Sequence, residues 1–345
     1  MKKGRFGKKV WAGLLILVLL STVLPLSVMA DENTLSPNAA GVYEISTAQE
    51  LQAISTMAAS GETFSNKTIQ LTADIDMDLI SNWVPIANFH GIFDGQGKTI
   101  SNLTVNVSDN AGLFASVSNA EAIKPVFKDV TLFNFNVTAT NSYAGALIGN
   151  AFTTDTISNC TVDNSTITAK NFVGGITGTG YVKIDNCTVK NSSVKSSVNG
   201  RNLSTGDNIG GIIGHSGEGL NVTQITNCKT INTNVSGVRK VAGILGTVSY
   251  GTVIDNCSVK GGTLTGTFGA PLTFLKYSVS LGGIAGQLVG GESQTITIKN
   301  CKVDPDVVYV PSGASYVDWL VGDPSLRIDT STFINESNQN IAVTE

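Results

Sequence analysis

A five-residue glycine pattern constrains the fold of this chain more than any other feature. It stands at 145–149 (GALIG), 174–178 (GGITG), 210–214 (GGIIG), 242–246 (AGILG) and 282–286 (GGIAG), with weaker copies at 111–115 (AGLFA) and 318–322 (DWLVG). A second pattern alternates with it: ISNCTV at 157–162, IDNCTV at 184–189, ITNCKT at 225–230, IDNCSV at 254–259 and IKNCKV at 298–303. Recurrence every 27 to 44 residues marks units that cannot bury their own apolar face and must stack on one another. The units are rich in Val, Ile, Thr, Asn and Gly, which suits short strands separated by tight turns.

The second pattern also predicts the path of the backbone. Ile157, Cys160 and Val162 cannot share one face of a regular strand, because side chains alternate with a period of two. Asn tolerates the left-handed conformation, so a corner at Asn159 lets both flanking strands point inward. Extending the register backwards gives a rung ladder of Leu103, Val130, Cys160, Cys187, Cys228, Cys257 and Cys301. Apolar residues replace Cys in it, so the cysteines are expected as free, buried, space-filling thiols. The expected fold is all-β, a parallel β-helix of about seven or eight coils. At the N-terminal end Leu51, Ile54 and Met57 are helically spaced behind a capping box of Thr47 and Glu50, which predicts a helix covering the first coil. Trp319 and the polar tail from Asp323 are expected to cover the other end.

Residues 1–30 read as a signal peptide, with a basic start, an apolar run from Val10 to Leu26 broken by Pro25, and small residues ending at Ala30. No Cys near that junction invites lipidation, so a secreted or surface-retained protein is expected, of bacterial source. Without the leader, 17 basic residues face 26 acidic ones, a formal charge of −9, which argues against nucleic acid and anionic membranes as partners. Residues 31–40 read as a linker, 41–90 as an N-terminal cap, 91–322 as the β-helix and 323–345 as a C-terminal cap or tail. The many Asn-x-Ser/Thr sequons, Asn66, Asn102 and Asn159 among them, are expected to reflect composition alone.

The run YEISTAQELQAIS, LTADIDM, NWVPIANFHGIFDGQGKTISNL, AGLFA and the later GGIIG-type copies resembles the GLUG-motif repeat proteins of bacteria. That resemblance covers nearly all of the chain after the leader. It implies a right-handed β-helix, exported and often surface-associated, commonly a module of adhesin-like proteins, with no defined activity. Some immunoglobulin-A-cleaving metallopeptidases carry such repeats, but the zinc-binding HExxH of their catalytic domain is absent here.

Several segments invite a chemical reading. GQGKT at 95–99 misses the first glycine of a phosphate loop, since Ile92 stands there, and reads as a turn. Asp74, Asp76 and Asp78 alternate as on a strand's solvent face, without the glycine and terminal Glu of a calcium loop. The cysteines lack metal-ligand spacing, and His90 and His215 read as turn residues, so no cofactor and no metal is expected. The interval from Cys to the next glycine motif alternates between 14 and 23 or 25 residues, so extra residues enter at one phase of the coil and would project from one side. These loops, near 191–207 and 267–277, carry Arg201 and the aromatic set Phe268, Phe274 and Tyr277, the expected contacts for an extracellular glycan or protein. A non-catalytic, adhesin-like binding or structural module is the expected function. The alternative is a carbohydrate-active β-helix enzyme, a lyase or glycosidase, for which Asp185 and Asp255 share a ladder position with Thr226 between them.

Overall fold

A computed structural model describes residues 35–117, 124–198, 206–217, 222–249, 251–267, 279–289, 296–311, 315–318, 320–323 and 333–336. Apart from one helix, their regular structure is strand, paired in parallel into three sheets. One ladder runs from Val42–Ile45 through Thr68–Leu71 and Ile92–Ser101 to Phe333–Glu336. A second sheet of seven strands ends on Val308–Val310, and a third of six ends on Ser315–Asp318. The chain is a right-handed parallel β-helix, in which each turn of the solenoid places one short strand in each sheet. Ladder strands are already paired inside the segment expected as the N-terminal cap and are still paired inside the expected C-terminal tail.

Corners are made as the Asn-Cys pattern predicts. Asn159, Asn186, Asn227, Asn256 and Asn300 all adopt left-handed backbone, with φ between 51° and 56°. Residues on both sides then face inward: Ile157, Cys160 and Val162 are buried. Each amide also ties one coil to its neighbour. Asn186 Nδ2 donates to Asn159 Oδ1 at 2.8 Å, and Asn159 Nδ2 donates to Asp129 Oδ1 at 2.8 Å. Behind each Asn the buried thiol donates to the carbonyl two residues back, as Cys228 does to Thr226 at 3.1 Å. All five cysteines are free and buried. Burial, reinforced by the neighbouring thiols of Cys160 and Cys228, pushes the Cys187 thiol well above the usual cysteine range, in keeping with an inert donor.

Two expectations need correction. Leu103 does not belong to the Cys ladder. In that coil the Cys position is taken by Lys98, paired with Val130, after the Asp94-to-Lys98 segment shifts the register. Leu103 instead starts a second corner ladder with Phe135, Ser165, Ser192 and Thr233, whose preceding residues Asn102, Asn134, Asn164, Asn191 and Asn232 are all left-handed. Ser165 and Ser192 donate to the carbonyls of Asp163 and Lys190 just as the cysteines do in the first ladder. The sequons likewise are not a matter of composition. A left-handed Asn, an inward residue and an outward β-former spell Asn-x-Ser/Thr at Asn102, Asn159, Asn164, Asn186, Asn191 and Asn256.

The glycine pattern answers a steric demand. A methyl on Gly175 would stand 2.2 Å from the Gly211 carbonyl oxygen in the next coil, and one on Gly178 would stand 2.5 Å from the Phe172 carbonyl oxygen. Backbone packs directly on backbone there, which only a residue without Cβ permits.

Helix α1 (Ala48–Ala59) closes the first coil behind the predicted capping box: Glu50 N donates to Thr47 Oγ1, and Glu50 Oε2 accepts from the Ser46 and Thr47 amides. Its inward face is Leu51, Ile54, Ser55 and Ala58, while Met57 is only half-buried. The core beneath it is aromatic. Phe64, Phe89, Phe93, Phe114 and Phe127 touch in tilted or edge-on pairs with centroids 4.8 to 5.9 Å apart. In later coils aliphatic residues and cysteines replace them.

The two ladders make opposite forecasts for substitution. Cys187→Ser places in the first ladder the hydroxyl that Ser192 already uses in the second, and is expected to cost about 1 kcal/mol or less in urea unfolding. Gly175→Ala forces two coils apart and is expected to cost about 3 kcal/mol or to prevent folding.

Candidate functional site

A cleft of about 610 Å³ opens where the strand after each glycine motif passes the start of the third sheet. Its floor is a polar ladder. Asn150 pairs with Thr179, Thr179 with His215, and His215 with Thr247, one residue from each successive coil. All four are buried. Its rim is half-buried and carries Tyr143, Phe172, Tyr181 and Lys240.

Tyr143 and Phe172 are held in an unusual way. Both have left-handed backbone, with φ of 67° and 56°, and their rings stack at 4.9 Å with 19° between planes. Asn110 and Asn208, at the same corner of the flanking coils, are also left-handed. Asn takes that conformation at little cost, whereas a bulky aromatic is strained by about 1–3 kcal/mol, and such strain gathers at ligand sites.

Around the rings the polar groups are fixed. His215 meets the Phe172 ring edge-on at 5.6 Å, and its Nδ1 accepts from the Gly217 amide at 3.0 Å, which makes Nε2 the protonated nitrogen. Burial, with Lys240 nearby, brings the His215 pKa down to about 4. Thr247 Oγ1 donates to Asn208 Oδ1 at 2.5 Å. The Oδ1 atom of Asn150, a residue 3% exposed, accepts no hydrogen bond.

The cleft lies beside the phase at which the loops enter. One insertion separates Ser193–Ser196 in the second sheet from Ile209–Gly210 in the third, and the other separates Thr263–Gly266 from Val279–Gly282, the same position in the coil. The end of the first insertion is pinned: Asn171 Oδ1 accepts from the Gly206 and Asp207 amides at 2.6 and 3.2 Å, and Asp207 pairs with Arg239. Arg201, Phe268, Phe274 and Tyr277, expected as ligand contacts, lie outside the described residues, as does Trp319.

Other candidates take part in local structure. Asp185 Oδ1 accepts from Thr226 Oγ1 at 2.6 Å and Asn227 Nδ2 at 2.7 Å, while Asp255 Oδ1 accepts from Asn300 Nδ2 at 2.8 Å and its other oxygen faces Lys299. Thr226 stands between them, as the register predicts. Asp74 accepts from the Thr99 amide and Asp76 from Asn102, and among the described residues no acidic, His or Cys cluster suits a metal. The GQGKT segment, expected as a turn, is instead a bulge within strand Ile92–Ser101, with Gln96 and Gly97 left-handed and Asp94 receiving Lys128 at 2.6 Å. His90 is buried at the entry turn. His215 is no turn residue: it ends strand Ile213–His215 on the cleft floor. The sequence reading missed this site because its residues follow one another across coils. The signal lay in the residue after each motif glycine, Asn150, Thr179, His215, Thr247 and Gln287, polar in every copy.

Fold and cleft together define a solenoid of the parallel β-helix class with a lateral groove. The chain carries a GLUG motif: the family described by that name matches residues 140–168, the coil that carries Tyr143 and Asn150. It is 38% identical over 154 residues to a halomucin of Haloquadratum walsbyi, a stretch that is 40% of this chain but only 2% of that protein. A crystal structure from Bacteroides ovatus, provisionally named an immunoglobulin A1 protease, shares the fold with a TM-score of 0.50 and 20% identity, over 88% of this chain and 79% of that one. No described helix is long and apolar enough to cross a membrane.

Two outcomes are expected. Phe172→Asn exchanges a strained aromatic for the residue the flanking coils use, and should leave stability unchanged or raise it by about 1 kcal/mol, since strain relief offsets the lost stacking. His215 has a folded pKa below its unfolded value of 6.5, so the unfolded state takes up the proton first as pH falls. Stability should therefore decline between pH 6.5 and about 4, by up to about 3 kcal/mol. His215→Gln should flatten that slope in thermal melts at pH 7 and pH 4.5.

Proposed function

We infer that this protein is a non-catalytic extracellular module that recognises glycan or protein through the loop side of its β-helix. The observation that carries this reading is the cleft itself, a half-open groove with a polar buried floor and a strained aromatic rim, beside the coil position at which both insertions enter. Clefts of this kind, mostly preformed with a few fixed polar groups, are where solenoids and other folds bind ligands. The leader-like first thirty residues and a relative named halomucin favour an extracellular setting at the cell surface. The carboxylates on which an enzymatic reading would rest, Asp185 and Asp255, are hydrogen-bonded into the corner ladder.

The test is an array of glycans and matrix proteins probed with the full chain beside a Phe268→Ala, Phe274→Ala, Tyr277→Ala triple variant. Binding by the wild type, weakened in the triple variant while circular dichroism is unchanged, is the expected result. An array on which the wild type binds nothing overturns the recognition reading in favour of a structural rod.

A further inference from the structure

The geometry of the cleft narrows the class of ligand, and the argument rests on the recognition reading above. Its lining comes from five successive coils: Tyr143 and Asn150, Phe172 and Thr179, Asn208 and His215, Lys240 and Thr247, then Val289. Parallel strands are about 4.8 Å apart, so the groove extends along the solenoid axis for about 19 Å. The coil step is visible in the side chains too, where the Tyr143 and Phe172 rings are 4.9 Å apart. A ligand that fills this groove must be long and thin, and it meets one polar floor residue per coil.

We propose that the cleft binds a linear oligosaccharide lying along the solenoid axis, with about one sugar per coil. A pyranose ring within a linear chain advances by close to one coil step, so successive hydroxyls meet Asn150, Thr179, His215 and Thr247 in register. An extended peptide advances about 3.3 Å per residue and falls out of step within two coils. The floor strands are also paired on both sides, leaving no edge for a peptide strand to join.

Two further observations point to a polyhydroxylated chain. Asn150 lines the cleft and its enclosed Oδ1 has no donor, an acceptor that a rotation of the amide would present to a sugar hydroxyl. The rim then offers what the C–H face of a sugar needs: two aromatic rings set where the flanking coils carry Asn, at the expense of backbone strain. Among the described residues no carboxylate lines the cleft, which suits acidic as well as neutral sugars.

Isothermal titration of the full chain tests this with cellohexaose, β-1,4-mannohexaose and hexagalacturonate, each beside its disaccharide. At least one hexasaccharide should bind tenfold or more tightly than its disaccharide. Asn150→Leu should weaken that binding at least tenfold, as should Phe172→Asn without lowering the thermal midpoint. A neutral or an acidic hexasaccharide as the tightest ligand supports the proposal equally and tells the two sugar sources apart. Equal binding of hexasaccharide and disaccharide, or full affinity in Phe172→Asn, overturns it. If the glycan array is still positive in that case, recognition stands and the ligand is held elsewhere. A blank array with no hexasaccharide bound removes both readings.

Discussion

Among the described residues, coil after coil turns on a left-handed asparagine, or on Asp129 in its place, whose side chain reaches the coil beside it. The left-handed turn lets Ile157 and Cys160 both face the interior although they are three residues apart. The amide then fixes the spacing of the coils, as from Asn186 to Asn159 and from Asn159 to Asp129. An Asp serves the second role as well as Asn, at Asp129 and Asp185. Local backbone conformation and long-range register are therefore set by one side chain, which is why the repeat tolerates wide drift elsewhere.

Much of this was legible in the sequence because the demands fall on residue types with few substitutes. Left-handed corners select Asn, backbone contact at Gly175 selects Gly, and the capping box selects Thr47 and Glu50. The second corner ladder was harder to read. Its inward residues are Leu103, Phe135, Ser165, Ser192 and Thr233, a mixture with no common polarity, because a hydroxyl that bonds the carbonyl two residues back is as acceptable there as an apolar group. The ISNL of the first coils resembles ISNC closely enough to be placed in the wrong ladder, and only the shifted register between Asp94 and Lys98 separates them.

The cleft was illegible for a different reason. Its parts are close in space yet about thirty residues apart in sequence, and Tyr143 and Phe172 gave no hint that they stand at corners where Asn is the rule. Strain of that kind leaves no trace in a propensity scale. It becomes visible once backbone angles are compared coil by coil, and it sets this aromatic pair apart from rings that merely fill a core.

The corner asparagines have one more consequence, which concerns where the protein can be made. Many of them form the acceptor sequence for N-linked glycosylation, and their side-chain nitrogen is the atom that bonds the next coil, as at Asn186. A eukaryotic secretory pathway attaches sugar to that same nitrogen while the chain is still emerging. Each glycan so placed would replace one of the two amide hydrogens beside the neighbouring corner, so modification at these sites would be coupled to the packing of the coils.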